Sequence, residues 1–574
     1  MGLNLSRLIS RGLPLGLAGV MCLNAAPKLR LSNTVVGPLS IVVGENGPQQ
    51  VVEAYNAGDG ALNLTLSAVE EWLAAEAGAP RPCTTRQGTC IPVNIMLNTA
   101  GLERGTYTGF VEVADPDAVD APQTIAVTVQ MGGGVPDRVD FVVPPGGADS
   151  LRFETNSPLT YQVSTNNGGD WLTLAIDGAG TFDFVIPYTL TARHNNLPQG
   201  LYTGRVSITN SAFAPDIKDV PVTMRITTQP IGKLSESEVR FRLAQETQAA
   251  QKYLVLRNAG QGALAIRNVV ATVADGGDWL AAEAVPDRLL VKLTANPEGL
   301  APGLYEATVT IETNAINSPH EARVFFAVVE QGPPIASFGG VVNNATFAAG
   351  DPIPQGGIAA IFGEQLSFEG PTEGAELPLV KELGGAKVFV NGQQVPLYFS
   401  SYGQINFQMP YETPAGEVRV QVVRGDQTGN AVSVQVIQRN PRILKFLGNY
   451  AIAVNQDGTF PVPPTPGIPS RRARPGDVLV IYAIGFGQTQ PPVASGEAAP
   501  ADPLAWVRPL PTVYFGRGLL PVPATPLFVG LTPTFVGLYQ INVQIPPNAP
   551  KGDHVPLQIE GPGYKSNQVE IAIE

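Results

Sequence analysis

The sequence predicts an all-β protein, a tandem and elongated array of β-sandwich domains. Three observations predict it. The 62 glycines and 53 prolines punctuate a chain that is 44% apolar and only 15% charged, a mix that suits short strands and tight turns rather than disorder. One set of landmarks recurs in fixed order at about 100-residue spacing through the first 330 residues, the signature of a repeated structural unit. Helical periodicity of useful length is absent beyond the N-terminal segment. At 574 residues the chain exceeds one core, and roughly 100 to 150 residues per domain implies four or five units.

Residues 1–25 read as an export signal. Arg7 and Arg11 form a positive start, "GLPLGLAGVMCLNA" is an apolar run too short to span a bilayer, and Ala25 can precede the cleaved bond. Gly19-Val20-Met21 before Cys22 lacks the small residue of a lipid-attachment site. The mature chain is therefore expected to be secreted, periplasmic or at the cell surface, with no membrane span. Cleavage removes two Arg and no acid, taking the net charge from −13 to −15. A chain this acidic does not hold nucleic acid by phosphate neutralisation, nor adhere to anionic membrane.

Units are expected at 26–132, 133–230, 231–333, 334–440 and 441–574, with Gly/Pro joints at "MGGGVP", "TQPIG" and "EQGPP" for the first three. These links are short, so neighbouring units should be semi-rigidly strung. In the first unit "NAGDGALNL" (56–64) precedes "EWL" at Trp72 and "LERGTYTGFVEV" at Tyr107. The second has "DWL" at Trp171 and "LPQGLYTGRVSI" at Tyr202. The third has "NAGQGALAI" (258–266), "DWL" at Trp279 and "LAPGLYEATVTI" at Tyr305. After each Gly-x-Tyr turn the chain alternates: Tyr202, Gly204, Val206 and Ile208 share one face, as do Tyr305, Ala307, Val309 and Ile311. That is a half-buried strand. One Trp and one turn-proximal Tyr per unit fit an immunoglobulin-like sandwich, with an indole in the core and a tyrosine pinning a corner. The alternative is a surface platform for sugar rings, but the acid-Trp-Leu context suits a strand passing from solvent to core.

From residue 335 the pattern changes to a doubled unit. "PQGGIAAIFGEQL" (354–366) is matched by "RPGDVLVIYAIGFG" (474–487), and "GQINFQMP" (403–410) by "YQINVQIP" (539–546). Alternation in the second pair sets Ile405, Phe407 and Met409 against Gln404, Asn406 and Gln408, and Ile541, Val543 and Ile545 against Gln540, Asn542 and Gln544. The amide face is a candidate ligand face, since each amide offers donor and acceptor to a sugar hydroxyl. It equally suits amide ladders or caps on neighbouring loops, and amides are poor acids, bases and nucleophiles.

The stretch from "VVNNATFAAG" through "IAAIFGEQL", "INFQMPYETPAGEVRVQV", "RPGDVLVIYAIGFG" and "FVGLTPTFVGLYQINVQIP" to "SNQVEIAIE" resembles the uncharacterised C-terminal domain of Solibacter-type exported proteins. Its halves are similar to IPT/TIG-type immunoglobulin-like units, and the N-terminal repeats to BACON-type modules. The resemblance implies export and a β-sandwich build, with no established activity. BACON-type modules are named for a proposed carbohydrate association, which is a fold-level analogy.

Cys83 and Cys90 in "CTTRQGTC" are the two cysteines of the mature chain, and in an exported protein they read as a disulfide closing a surface loop. A zinc site needs two further ligands, and His194, His320 and His554 are far apart in sequence. Hydrolase, phosphate-loop and dinucleotide motifs are missing. Glu70, Glu71, Asp115, Asp117, Asp120 and Glu382 are carboxylates that nothing in the sequence selects as a glycosidase pair. "DPDAVD" (115–120) lacks the Gly and terminal acid of a calcium loop and reads as a hairpin tip. The expected function is an exported, non-enzymatic binding or adhesion protein without cofactor or metal, its partner extracellular polysaccharide or another surface protein. The alternative is a structural spacer or cell-envelope component.

Overall fold

The computed structural model describes residues 26–178, 185–274, 277–518 and 521–574, so the expected export segment lies outside the described residues. Among these there is no α-helix, only strands and a 3-10 turn at Ala214–Asp216, and no helix is long and apolar enough to cross a membrane. The strands form ten sheets around five hydrophobic cores. The first unit has its core between Leu29 and Met131, the second between Val135 and Ile226, and the third between Val239 and Val328. The fourth runs from Ala336 to Val436 and the fifth from Ile443 to Ile573. The all-β class and its tandem sandwiches follow directly.

Each of the first three units closes one sheet in the same way. An early strand pairs parallel with the last one: Val35–Ile41 with Gln123–Met131, Val139–Val143 with Asp219–Ile226, and Glu238–Ala244 with His320–Val329. The last strand is antiparallel to the Gly-x-Tyr strand before it. Alternation places Val206, Ile208, Val309 and Ile311 inward and leaves Arg205 and Thr209 exposed, the period-two face of a half-buried strand.

Two of the three tryptophans of the N-terminal repeats fill their cores. Trp171 and Trp279 are 1% and 4% exposed, and Trp279 packs at 5.3 Å from the Phe326 ring. Trp72 corrects the expectation, being half-buried at the margin of the first core. It sits in a turn closed by Leu73 N–H to the Glu70 carbonyl at 2.9 Å, and its indole shares the hollow above Gly109 with Leu73 and the Glu70 carboxyl. The corner tyrosines are explicit in two units: Tyr202 Oη donates to the Pro198 carbonyl and Tyr305 Oη to the Ala301 carbonyl, each at 2.9 Å.

Within this array the first unit also touches units that are not its neighbours in sequence. Asp120 N–H donates to the Ala431 carbonyl of the fourth unit at 2.9 Å, and Arg240 of the third donates to the Thr108 carbonyl of the first at 2.9 Å. The chain doubles back, so that units one, three and four meet.

Candidate functional site

The two amide-bearing strands, Gln404–Gln408 and Leu538–Gln544, lie inside their sheets. The first runs between Ile358–Glu364 and Leu397–Ser400, the second between Val478–Ile484 and Phe528–Leu531. Ile405, Phe407, Met409, Ile541, Val543 and Ile545 are all buried. On the opposite face the amides bind one another: Gln404 Nε2 donates to Asn406 Oδ1 at 2.8 Å, and Gln540 Nε2 to Asn542 Oδ1 at 3.4 Å. Gln544 Nε2 caps the Gly476 carbonyl at 3.0 Å. Gln408 is 1% exposed, and its Oε1 accepts the Gly496 N–H of the fifth unit at 2.6 Å. Gln408 therefore lies in the joint between units and is out of reach of an outside ligand. The repeated motif makes the same ladder twice, which is how a scaffold is reused.

Cys83 and Cys90 are bonded to each other, with Cα atoms 5.0 Å apart. The Glu53 carboxylate beside them accepts Thr84 N–H at 2.9 and 3.0 Å. Donor atoms of Glu53, Cys83 and Cys90 lie within 4.8 Å of one another, but bonded sulfurs are not the thiolates a metal requires. The intervening loop is short, so its chain-entropy contribution falls below the roughly 3 kcal/mol of a 15-residue loop. Reduction is expected to lower the first unit's melting temperature only slightly. Intact mass after alkylation with and without reductant checks the bond, and two free thiols in the unreduced sample would contradict it.

The remaining sequence candidates are dispersed. His194, His320 and His554 belong to the second, third and fifth units; burial holds the His320 imidazole below its usual pKa. Asp115 accepts N–H groups of Asn63 and Asp117 at 2.7 and 3.0 Å, and so shapes the loop between the strands Gly105–Ala114 and Gln123–Met131. Glu382 pairs with Lys387 at 3.2 Å. Glu71 and Asp117 are exposed.

What the structure assembles instead is a cleft of about 1240 Å³ where units one, three and four meet. The strand Glu238–Ala244 buries Phe241 and turns Arg240 and Arg242 outward into it. Arg240 lies over the Phe110 and Phe325 rings at 5.3 and 4.7 Å, with Glu238 Oε1 at 2.7 Å and Glu70 at 4.0 Å. Arg242 donates to Glu364 Oε2 at 2.7 Å and faces Glu112 at 3.8 Å. Burial lowers the Arg242 pKa, but the Glu364 and Glu112 charges outweigh it, so the guanidinium is held above its ordinary range. Tyr402 stacks on Phe368 with centroids 6.3 Å apart, and its hydroxyl accepts Ala244 N–H at 2.8 Å. Burial and the neighbouring Glu364 push that phenol well above its usual pKa, so it stays neutral. The rim carries exposed Gln248 and Gln251 with Ser401.

The lining combines paired charges, amides and aromatic rings. Its guanidiniums are matched by carboxylates, its phenol is neutral, and neither His nor Cys lines it. Sequence reasoning missed it because its walls come from three units. The available signal was "RFR" (240–242), which puts two cations on the outer face of a strand whose Phe points inward.

No protein-family profile matches the chain, and no curated protein matches it, so its likeness to the Solibacter-type domain and to BACON and IPT/TIG units rests on the quoted motifs. Among solved structures it is similar to the N-terminal four Ig domains of Dscam1, at 9% identity over 71% of this chain and 99% of that one, with a TM-score of 0.20. Sidekick-1 immunoglobulin domains 1–5 match at 12% identity over 96% and 99%, with a TM-score of 0.17. An endo-fucoidan hydrolase of glycoside hydrolase family 107 matches at 13% identity and a TM-score of 0.18, over 54% of this chain and 45% of the hydrolase. The chain thus spans less than half of that enzyme. At these TM-scores the likenesses carry no argument about function.

Proposed function

We propose that this chain is an exported, non-enzymatic binding or adhesion protein that holds a segment of extracellular polysaccharide in the cleft between its first, third and fourth units. The observation that carries this is the lining of the cleft. Phe110, Phe325 and Tyr402 line it beside amides, hydroxyls and paired charges, with Arg240 over the two phenyl rings and Tyr402 stacked on Phe368, and a pyranose presents the complementary mix of apolar face and hydroxyl edge. Because Arg240 and Arg242 already face carboxylates, the site suits a neutral glycan better than a polyanion. Its volume exceeds the usual 300 to about 1,000 Å³ of a small-molecule pocket, as a chain of several sugars needs. The disulfide supports an oxidising, exported setting.

A spacer reading draws on the fact that Arg240 and Arg242 also tie the units together. Binding of the full chain to a panel of neutral polysaccharides separates the two. The expected result is retention of at least one neutral glycan, weakened about tenfold or more by Phe325→Ala, as about 1.4 kcal/mol of lost contact does. No retention, or retention that Phe325→Ala leaves unchanged, would contradict the proposal.

A further inference from the structure

We infer that Asp120 is a positioning residue: it latches the first unit onto the fourth and so holds the first unit's wall of the cleft in place, without itself touching the cleft. Asp120 ends the "DPDAVD" loop with φ 63, in the left-handed region that Asp tolerates better than most non-glycine residues. Its side chain is 0% exposed, although the loop carrying it stands at the end of its own sandwich. Ser433 of the fourth unit closes over it from one side and Arg30 of its own unit from the other.

Every polar atom at this latch is matched. One carboxylate oxygen accepts Ser433 N–H at 2.6 Å; the other accepts Ser433 Oγ at 2.8 Å and Arg30 Nη1 at 2.7 Å. Lys28 Nζ stands 3.8 Å away and donates to Glu417 of the fourth unit at 2.6 Å. Asp120 N–H and the Ala431 carbonyl pair at 2.9 Å, and Asn430 Nδ2 bridges the Ala121 and Ala336 carbonyls at 2.7 and 2.9 Å. Residues 431–433 belong to the strand Gln427–Ile437, which pairs there with Gly416–Arg424 on one side only. The Asp120 backbone and carboxylate therefore complete an otherwise open sheet edge. A carboxylate desolvated this fully is tolerable only with such partners, so the two units must dock in one geometry.

The consequence falls on the cleft. Phe110, Glu112 and Glu70 form its first-unit wall, whereas Asp120 and Ser433 are not among its lining residues. If the latch opens, that wall loses its attachment to the fourth unit, and the cleft loses the geometry in which all three units meet a ligand. This last step rests on the binding function proposed above; the closure itself does not.

Small-angle scattering of the full mature chain, paired with polysaccharide retention, tests the inference. Asp120→Ala is expected to increase the radius of gyration and to weaken retention. Ser433→Asp, which opposes the carboxylate from the fourth unit and leaves the first unit's sequence intact, is expected to do the same even if Asp120→Ala disturbs its own unit. Asp120→Asn, which keeps acceptor and backbone bond but loses the charge facing Arg30, should fall between wild type and Asp120→Ala. Unchanged scattering in both Asp120→Ala and Ser433→Asp would overturn the latch, whatever happens to binding. Increased scattering dimensions in the variants of a chain whose wild type retains no glycan would uphold the latch and reject the binding function.

Discussion

Trp171→Ala is expected to lower the stability of the second unit by about 3–5 kcal/mol, the cost of emptying a fully buried indole site. The indole is 1% exposed; its Nε1 donates to the Asn167 carbonyl at 2.9 Å, so truncation also strips that carbonyl of its partner. Gly204 lies directly against the ring, since a Cβ there would stand 3.3 Å from Cζ2. The surroundings are backbone on that side and collapse poorly into the cavity. Trp72→Ala should cost visibly less, because its indole is half-buried at the core margin. Denaturant melts of the two variants give the ordering. A Trp171→Ala protein with an unchanged melt and abolished glycan retention would instead make the indole a sugar platform.

The joint between the fourth and fifth units carries the second large effect. Arg442 meets Asp351 through two bonds, Nη2 to Oδ1 at 2.6 Å and Nε to Oδ2 at 3.1 Å, with both side chains mostly buried. Asn440 and Thr346 satisfy the same carboxylate at 3.0 and 2.9 Å. Arg442→Ala leaves that carboxylate without its counter-charge and is expected to cost about 3 kcal/mol, the lower end for breaking a buried pair. Burial pushes the Asp351 carboxyl up, but its bonds to Arg442, Asn440 and Thr346 outweigh this and hold it below its usual range. A lowered folded-state pKa means that the carboxylate's contribution is present above the ordinary unfolded value and is lost as pH falls through the folded one. The wild-type advantage over Arg442→Ala should therefore shrink in strong acid. An equal difference at neutral and strongly acid pH would contradict this account.

Much of the scaffold was legible because local physics repeats. The period-two faces after each Gly-x-Tyr turn, the Trp171 and Trp279 cores and the apolar side of "QINFQMP" each follow from a few neighbouring residues. The amide ladder was also open to view as an alternative to a ligand face, since outward Gln and Asn two positions apart bind each other as readily as a sugar. Trp72 departed from its repeat where the Glu70 carboxyl shares its hollow above Gly109, whereas a backbone carbonyl takes that place above Gly204 beside Trp171, a difference its Trp-Leu landmark does not reveal. The cleft and the latch were not legible. Asp120 and Ser433 are separated by 313 residues, and neither carries a local mark of its partner. "DPDAVD" does form a loop between two strands, yet what its last Asp does depends on the edge of a sheet three units further on.

Hydrogen exchange of the full chain, with and without a retained neutral polysaccharide, tests the central claim most directly. The account predicts added protection in the segments that line the cleft: residues 240–252 of the third unit, 362–371 and 401–403 of the fourth, and around Phe110 of the first. Protection confined to the Cys83–Cys90 loop, to Gln540 and Asn542 of the fifth unit, or to any surface away from the meeting of the three units would contradict it.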